Sequence, residues 1–201
     1  MHGKLIVFEG ISGTGKETQA KLLQESLKER KIVSHIVYHP ASEVKSFLSY
    51  YKKERRGDWK TLVYLLLADR YCWVNEKIKP ALLKGEWVIS LRSYISALVY
   101  QGESVTDRAW IQRQFAEFEP VPSSLFYFDI DPKIALTRIM TRHEKTGEPL
   151  GSYETRKLLT KMRNRYLSVI QTVELHSHTL DAAHSVKNLH KEILTVIKAS
   201  H

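Results

Sequence analysis

The most constraining feature of this chain is a glycine-rich segment, residues 10–16, that lies between a short apolar run and an amphipathic helical pattern. Glycines let the backbone turn so that successive N–H groups face an anion. The helix that follows presents the positive end of its dipole, and a lysine reaches the outer phosphates. The context predicts a phosphate-binding loop for a nucleotide, with a structural glycine-rich turn as the alternative. The residues predicted to bind the nucleotide are Gly10, Ile11, Ser12, Gly13, Thr14, Gly15, Lys16, Glu17 and Thr18.

The residue after the loop lysine departs from the usual pattern. A Ser or Thr there ligates the magnesium ion that accompanies the nucleotide, whereas this chain has Glu17. A carboxylate can also ligate magnesium, and the start of the helix offsets part of its charge. Glu17 is therefore the predicted metal ligand. Thr18 lies about 100° further round the helix and is expected to face elsewhere.

Length and composition limit the organisation of the chain. The 201 residues, 43% of them hydrophobic, are enough for one sizeable core, and no Pro/Gly/Ser-rich linker divides them. The single Cys72 excludes an internal disulfide framework and fits a reducing compartment. No signal pattern is found, and no stretch approaches the roughly 18 apolar residues of a membrane span. We expect one domain over residues 1–201, in the cytoplasm and with no membrane partner.

The net charge of +9, from 31 Lys and Arg against 22 Asp and Glu, suits polyanionic ligands of any kind. The densest basic run, Lys52 to Arg56, is interpreted as a solvated face, with a nucleic-acid patch as the alternative. No nucleic-acid-binding signature accompanies this run, so no nucleic-acid partner is expected.

Short apolar segments alternate with longer helical patterns, which is typical of a parallel sheet with crossover helices. We predict strands at 4–8, 33–38, 87–90, 125–129 and 178–180. Helices are predicted at 15–30, 44–51, 59–83, 132–142, 153–173 and 186–199, with a helix-rich region at 94–118. The segment 143–152 has the glycine, proline and charge content of a lid. Asp131 is predicted to cap the helix that begins at Pro132. The expected fold is α/β, with helices on both faces of a five-stranded parallel sheet.

In an open parallel sheet the ligand binds beyond the carboxyl ends of the strands. The loop after the first strand, His39-Pro40 after the second and Leu91-Arg92 after the third are therefore expected to converge. Phosphoryl transfer needs mainly positioning and charge neutralisation. The candidates for neutralising the transferred phosphate from the lid are Arg142, Lys145 and Arg156.

Several motifs in order along the chain resemble those of thymidylate kinases, which are P-loop kinases that transfer a phosphoryl group from ATP to dTMP. The motifs are Val7-Phe8-Glu9-Gly10 with Gly13, Gly15-Lys16 and Thr18-Gln19, then Arg92 with Tyr100-Gln101-Gly102, Asp131-Pro132, Arg163-x-x-Tyr166 and Leu180-Asp181-Ala182. The resemblance covers essentially the whole chain. It implies a P-loop kinase fold, ATP with Mg²⁺, a nucleoside monophosphate acceptor and a homodimer.

The resemblance also implies roles for individual residues. Those implied to act in catalysis are Lys16, Arg92 and Arg142, and those implied to bind the acceptor are Glu9, Tyr38, Arg70, Arg92, Tyr100 and Gln101. Arg92 is expected to hold the acceptor phosphate, whereas Arg70 and Gln101 are expected to meet the base. The alternatives are an ion pair of Arg70 with Asp69 or Glu76, and a core position for Tyr100.

The chain departs from the family pattern at Ser12, Glu17, Tyr38, Leu66 and Leu91. Leu91 replaces an aspartate of the magnesium and phosphate machinery, and a leucine can neither ligate a cation nor accept a proton. Either Glu17 has taken over the organisation of the metal, or the chain binds nucleotide with little turnover. An active nucleoside monophosphate kinase, a non-catalytic nucleotide-binding protein and a P-loop enzyme with another substrate remain as alternatives.

Overall fold

The computed structural model describes residues 3–55 and 58–199. The strands are β1 Leu5–Glu9, β2 Ser34–Tyr38, β3 Trp87–Leu91, β4 Ser124–Asp129 and β5 Ser177–Asp181. The helices are α1 Lys16–Glu29, α2 Ser42–Arg55, α3 Trp59–Trp73, α4 Lys79–Leu83, α5 Tyr94–Tyr100, α6 Val105–Ala116, α7 Pro132–Thr146, α8 Arg156–Thr172 and α9 Val186–Ala199. The described strands form one sheet in the order β2-β3-β1-β4-β5, and every pair is parallel.

The sheet confirms the predicted α/β fold. β1 lies between β3 and β4, and all five of its residues are buried because both of its faces and both of its edges are covered. α1 and α9 contact each other on one side of the sheet, and α8 contacts α5 and α7 in a second group. Since all strands run in one direction, their carboxyl ends lie at one edge, where the loops after β1, β2 and β3 meet.

Some helix boundaries differ from the predictions. The predicted helix 59–83 is interrupted by a π-helical turn, Val74–Ile78, just before Pro80. Proline cannot donate a backbone hydrogen bond to the preceding turn, and a widened turn accommodates this loss. The region 94–118 contains two helices, and the second begins with a capping box between Ser104 and Asp107.

The predicted lid boundaries, 143–152, are shifted in the structure. α7 continues through Thr146 and ends at Gly147, whose left-handed φ of 70° suits a helix C-terminus. His143 and Lys145 occupy the last turn, where positive charge interacts favourably with the helix dipole. α8 begins at Arg156, so the irregular segment spans residues 147–155. α2 extends through Arg55. The prediction that the basic run at 52–56 is a solvated face lies outside the described part of the chain, which includes neither Arg56 nor the side chains of residues 52–55.

Candidate active site

The loop between β1 and α1 has the backbone that the glycine pattern predicts. Gly10, Gly13 and Gly15 all have positive φ, at 143°, 82° and 84°. A Cβ on Gly10 would lie 2.6 Å from the carbonyl oxygen of Phe128, and one on Gly13 would lie 2.6 Å from that of Ala135. Only glycine fits these two positions, because another residue would be strained and would also collide with backbone.

The lysine of this loop lies at the start of α1 and folds back over the loop. Lys16 Nζ donates to the carbonyl oxygens of Gly10 and Ile11, at 2.9 and 2.7 Å, and to Thr14 Oγ1, at 2.8 Å. Burial lowers the pKa of Lys16 well below its usual value. The positive charge of Arg92 lowers this pKa further, and Glu9 acts in the opposite direction. An anion bound beside Lys16 would therefore stabilise its charged form.

A buried carboxylate connects the end of β1 to the segment after β3. Glu9 Oε1 accepts hydrogen bonds from the backbone N–H and the hydroxyl of Ser93, at 2.7 and 3.0 Å. Glu9 Oε2 accepts from Ser96 Oγ and from Tyr166 OH, each at 2.8 Å. Arg92 Nη1 donates to the same two groups, Ser96 Oγ at 3.1 Å and Tyr166 OH at 3.0 Å. The network fixes the Arg92 side chain beside the loop.

The backbone of Arg92 is also constrained. Its φ is +74°, an uncommon value for a residue with a side chain, and its N–H donates to the carbonyl oxygen of Phe8 at 2.9 Å. Its guanidinium carbon lies 5.4 Å from the ring centroid of Tyr100. A strained backbone held by several contacts places this cation at the carboxyl ends of β1 and β3, as expected from the sequence.

Arg70 is fully buried and pairs with a residue that the sequence does not indicate. Its Nε donates to Glu119 Oε2 at 2.8 Å, and its Nη2 donates to Glu119 Oε1 at 2.6 Å. Its Nη1 donates to Ser90 Oγ at 3.0 Å. These contacts use three of the five N–H groups of a guanidinium, which leaves two for a ligand. The predicted alternative, an ion pair with Asp69 or Glu76, is wrong, since Asp69 instead accepts from His39 and the backbone of Ala41.

Gln101 and Tyr100 follow Arg92 along the chain. Gln101 is buried, and its Oε1 has no hydrogen-bond partner among the described residues. The Tyr100 ring makes edge-to-face contacts with Tyr153 and Tyr166, at centroid distances of 4.8 and 6.3 Å. Because a buried oxygen without a partner is costly, Gln101 is a candidate for direct contact with a ligand.

Arg142, in the last part of α7, is held by carboxylates of the irregular segment 147–155 that follows the helix. Arg142 Nη2 donates to Glu154 Oε1 at 3.1 Å, and Arg142 Nε lies 3.3 Å from Glu148 Oε2. Glu154 Oε2 accepts from the backbone N–H of Gly151 at 2.8 Å. Burial opposes the charge of Glu154, but hydrogen bonds from Gly151, Arg142 and the loop residue Ser12 hold its pKa below the usual value. Glu154 therefore links the irregular segment 147–155 to the loop between β1 and α1.

The predicted metal ligand faces outward. Glu17 Oε1 lies 3.2 Å from Lys21 Nζ and accepts from Tyr38 OH at 3.5 Å, and both carboxylate and ammonium are well exposed. Thr18 is exposed as well, in keeping with its expected orientation. Within the described parts of the chain, no group of three or more His, Cys, Asp or Glu side chains is placed to hold a metal ion. Leu91, at the position of the family's aspartate, is buried in β3.

Several residues of this site were given no individual role by the sequence reasoning; Arg138, like Tyr166, belongs to a motif of the resemblance only. Arg138 Nη1 donates to the carbonyl oxygens of Ala182, at 2.9 Å, and of Gly13 in the loop, at 3.5 Å. Tyr166 was noted only as part of a motif, and its hydroxyl joins Glu9 to α8. Nothing in the sequence indicated Glu119 as a partner of Arg70, because it lies 49 residues later in a segment without a recognisable motif.

Comparison with known proteins identifies the family. A family model described as thymidylate kinase matches residues 8–193. The chain belongs to the thymidylate kinase family. A thymidylate kinase of Akkermansia muciniphila is 34% identical over 182 residues, which cover 83% of this chain and 79% of that protein. A probable thymidylate kinase of Saccharolobus solfataricus is 32% identical over 198 residues, which cover 97% of each chain.

Family membership confirms the resemblance and the predicted class of activity, an ATP-dependent nucleoside monophosphate kinase. A non-catalytic nucleotide-binding protein and a P-loop enzyme with another type of substrate are not favoured by these matches. In the described residues of this thymidylate kinase family member, no helix is both long and apolar enough to cross a membrane.

Proposed function

We propose that the protein transfers the γ-phosphoryl group of ATP to dTMP, giving dTDP and ADP. The observation that carries the proposal is the placement of two cations at one edge of the sheet. Lys16 folds back over the loop after β1, and the backbone of Arg92, after β3, bonds the carbonyl oxygen of Phe8 in β1. In keeping with this placement, Arg92 lowers the pKa of Lys16. Two like charges at a partly buried site are suited to bind anions on both sides of a transferred group. The names of the relatives support dTMP as the acceptor.

The two cations would hold the two phosphate ends of the reaction. The loop N–H groups of residues 10–16 and Lys16 would hold the β- and γ-phosphates of ATP. Arg92 would hold the phosphate of the acceptor, so that one of its oxygens lies in line with the γ-phosphorus. Glu9 accepts four hydrogen bonds from protein groups, and we therefore give it a positioning role for Arg92 instead of direct contact with the acceptor.

Two residues would hydrogen-bond the base. Arg70 would use the two N–H groups that make no contact with other protein groups, and Gln101 would use its side-chain amide. Donors of this kind suit a carbonyl oxygen of a pyrimidine, and a buried amide oxygen suits a ring N–H. Tyr100 would pack against the sugar, beside Arg92. Tyr38 lies further out, with its hydroxyl toward Glu17.

Charge neutralisation from the lid would come from Arg142. This requires the guanidinium to exchange Glu148 or Glu154 for a phosphate oxygen when the segment around 143–152 closes over ATP. Lys145 and Arg156 are exposed and remain further candidates. The hydrogen bond between Ser12 and Glu154 would couple the position of the lid to that of the loop.

Magnesium would accompany ATP. With no cage of three or more ligating side chains in the described residues, the donor set fits a Mg²⁺ held mainly by phosphate oxygens and water, with one carboxylate from the protein. Glu17, next to Lys16 in the first turn of α1, would supply that carboxylate after leaving Lys21. When bound, the metal would neutralise charge that develops on the β- and γ-phosphates.

A homodimer in the cytoplasm is also proposed. An exposed stripe on α3 consists of Tyr64, Ala68 and Tyr71, spaced so that they lie on one face of the helix. Tyr64 and Tyr71 are 56% and 55% exposed, which is high for large side chains and typical of a contact surface. Light scattering of the purified chain tests the dimer, and Tyr64→Glu should yield a monomer.

The proposed reaction is tested by coupling ADP formation to NADH oxidation with each nucleoside monophosphate in turn. We expect turnover with dTMP that requires ATP and Mg²⁺, and a large loss in Arg92→Ala. Lys28→Ala, at an exposed residue in the last turn of α1, serves as a control for handling and folding. Equal rates with purine and pyrimidine monophosphates, or no turnover with any of them, would contradict the proposal.

A further inference from the structure

A buried histidine lies at the carboxyl end of β2, next to the proposed acceptor site. The backbone N–H of His39 donates to the carbonyl oxygen of Leu91, so His39 is level with the start of the Arg92 segment. Its ring Nδ1 lies 2.9 Å from Asp69 Oδ2, and its side chain is only 1% exposed. Asp69 also accepts from the backbone N–H of Ala41, at 3.1 Å. The pair fixes the ring between β2 and α3.

The partner of Nδ1 determines what the other ring nitrogen can do. A carboxylate can only accept, so Nδ1 carries the proton. Burial lowers the pKa of His39, and the hydrogen bond to Asp69 only partly opposes this shift. The ring is therefore neutral near pH 7, and Nε2 presents a lone pair. Nε2 is buried and has no hydrogen-bond partner in the described part of the chain.

His39 lies beside the proposed base site, because Asp69, which its ring contacts at 2.9 Å, is the neighbour of Arg70 in α3. Three charged residues also act on the ring. They are Asp69 and Arg70 of α3 and Glu119 after α6. Arg70 is the residue that, in the proposed function, donates to a carbonyl of the base. In the proposed site, Arg70 would provide donors close to His39, whose Nε2 is an acceptor without a partner among the described residues. The carbonyl at C4 of thymine lies between the ring N3–H and the C5 methyl group. The proposed function pairs N3–H with the amide oxygen of Gln101, so only the methyl group remains for Nε2, and a methyl group cannot donate.

We propose that His39 determines specificity for a pyrimidine that carries a hydroxyl group on C5, beside the carbonyl that Arg70 reads. A 5-hydroxymethyl group keeps the carbonyl for Arg70 and donates its O–H to Nε2, so both protein groups are satisfied. The 4-amino group of cytosine would also reach Nε2, but it removes the carbonyl and leaves N–H groups of Arg70 without an acceptor. The preferred acceptor is thus 5-hydroxymethyl-dUMP.

The reaction itself is unchanged, and the inference rests on the proposed function. An oxygen of the acceptor phosphate bonds to the γ-phosphorus of ATP, and the bond from that phosphorus to the β–γ bridging oxygen breaks. The products are ADP and the 5-hydroxymethyl nucleoside diphosphate. His39 contacts only the base substituent, so its effect appears in the choice of acceptor.

Two substitutions separate the Nε2 lone pair from the structural role of the ring. His39→Asn keeps a donor at the position of Nδ1 for Asp69 and removes Nε2. His39→Gln places an amide near the position of Nε2, where its oxygen can accept. The measurement is the ratio of kcat/KM for 5-hydroxymethyl-dUMP to that for dTMP, with dUMP and dCMP assayed alongside. A folding defect lowers both values and leaves the ratio unchanged.

We expect the ratio to be above 1 in the native chain, to fall roughly tenfold in His39→Asn, and to be partly retained in His39→Gln. The matched control is His178→Asn, since His178 also has a buried Nε2 without a partner but lies on β5. That variant should keep the native ratio.

Several outcomes would overturn the inference. They are a ratio that His39→Asn leaves unchanged, a ratio below 1 in the native chain, and a His39-dependent preference for dCMP over 5-hydroxymethyl-dUMP. The proposed function fails separately, because it fails only if neither dTMP nor its C5-substituted relatives are phosphorylated. Turnover of dTMP with a ratio independent of His39 would retain that function and reject the role of His39.

Discussion

Glu119→Gln tests how much the structure depends on the buried pair between α3 and the segment after α6. Arg70 is 0% exposed and the Glu119 side chain 5%, and the two make a bidentate contact at 2.6 and 2.8 Å. Breaking a buried pair costs about 3–5 kcal/mol, since the remaining charge is left without compensation. Glutamine retains one accepting oxygen and the contact of Arg70 with Ser90 persists, so the lower end of that range, about 3 kcal/mol, is expected.

For a chain of this length, each kcal/mol shifts Tm by about 2–4 °C, so Glu119→Gln should lower Tm by about 6–12 °C. Urea denaturation at pH 7 provides the free energy of unfolding directly. Glu117→Gln is the matched control, because Glu117 lies two residues away and is exposed, and it should stay within about 0.5 kcal/mol of the native chain.

The same substitution should raise KM for dTMP, because Arg70 loses the contact that directs its remaining N–H groups to the base. A loss of stability below 1 kcal/mol would refute the reasoning, since it would mean that the Arg70 charge is compensated elsewhere. The double variant Arg70→Met with Glu119→Leu should recover much of the stability, because it removes both charges together, but not the activity.

Three further predictions concern the loop, the metal and pH. Lys16→Ala removes a charge-assisted contact worth roughly 1.5–3 kcal/mol, so calorimetry should show ATP binding weakened by about 10- to 150-fold, and an unchanged Kd would reject the loop assignment. Glu17→Gln should raise the Mg²⁺ concentration needed for half-maximal rate and should lower turnover. If the variant keeps the native Mg²⁺ dependence, Glu17 is only an ion-pair partner of Lys21 on the helix surface, and its contribution to stability is about a few tenths of a kcal/mol. Because the pKa of His39 is lower in the folded chain than the usual 6.5, the unfolded chain binds more protons, and stability should fall as pH drops from 7 toward 5. Urea midpoints should show a shallower fall in His39→Asn, and parallel slopes would exclude His39 as a source of this pH dependence.

The sequence by itself determined the parts of this protein that depend on local patterns. Apolar runs and helical periodicity predicted the five strands that the described residues form, and the helices between them predicted that the sheet is parallel. The spacing of Gly10, Gly13 and Gly15 predicted a loop whose positive φ values only glycine adopts at these places without strain. Asp131 before Pro132 predicted a helix cap, and Asp131 Oδ1 accepts the N–H of Lys133 at 2.7 Å. These features are set within a few residues of one another, so local chemistry is enough to fix them.

Only the tertiary structure decided the partners of the charged groups. Arg70 has acidic residues nearby in sequence, yet it pairs with Glu119, because the packing of α3 against the end of α6 buries those two side chains together. The carboxylate of Glu9 meets Tyr166, 157 residues later, since both face the carboxyl ends of the central strands. A charge interacts with whatever the fold brings within a few ångströms, and distances of that kind depend on how helices pack across the sheet, which no local pattern of residues encodes.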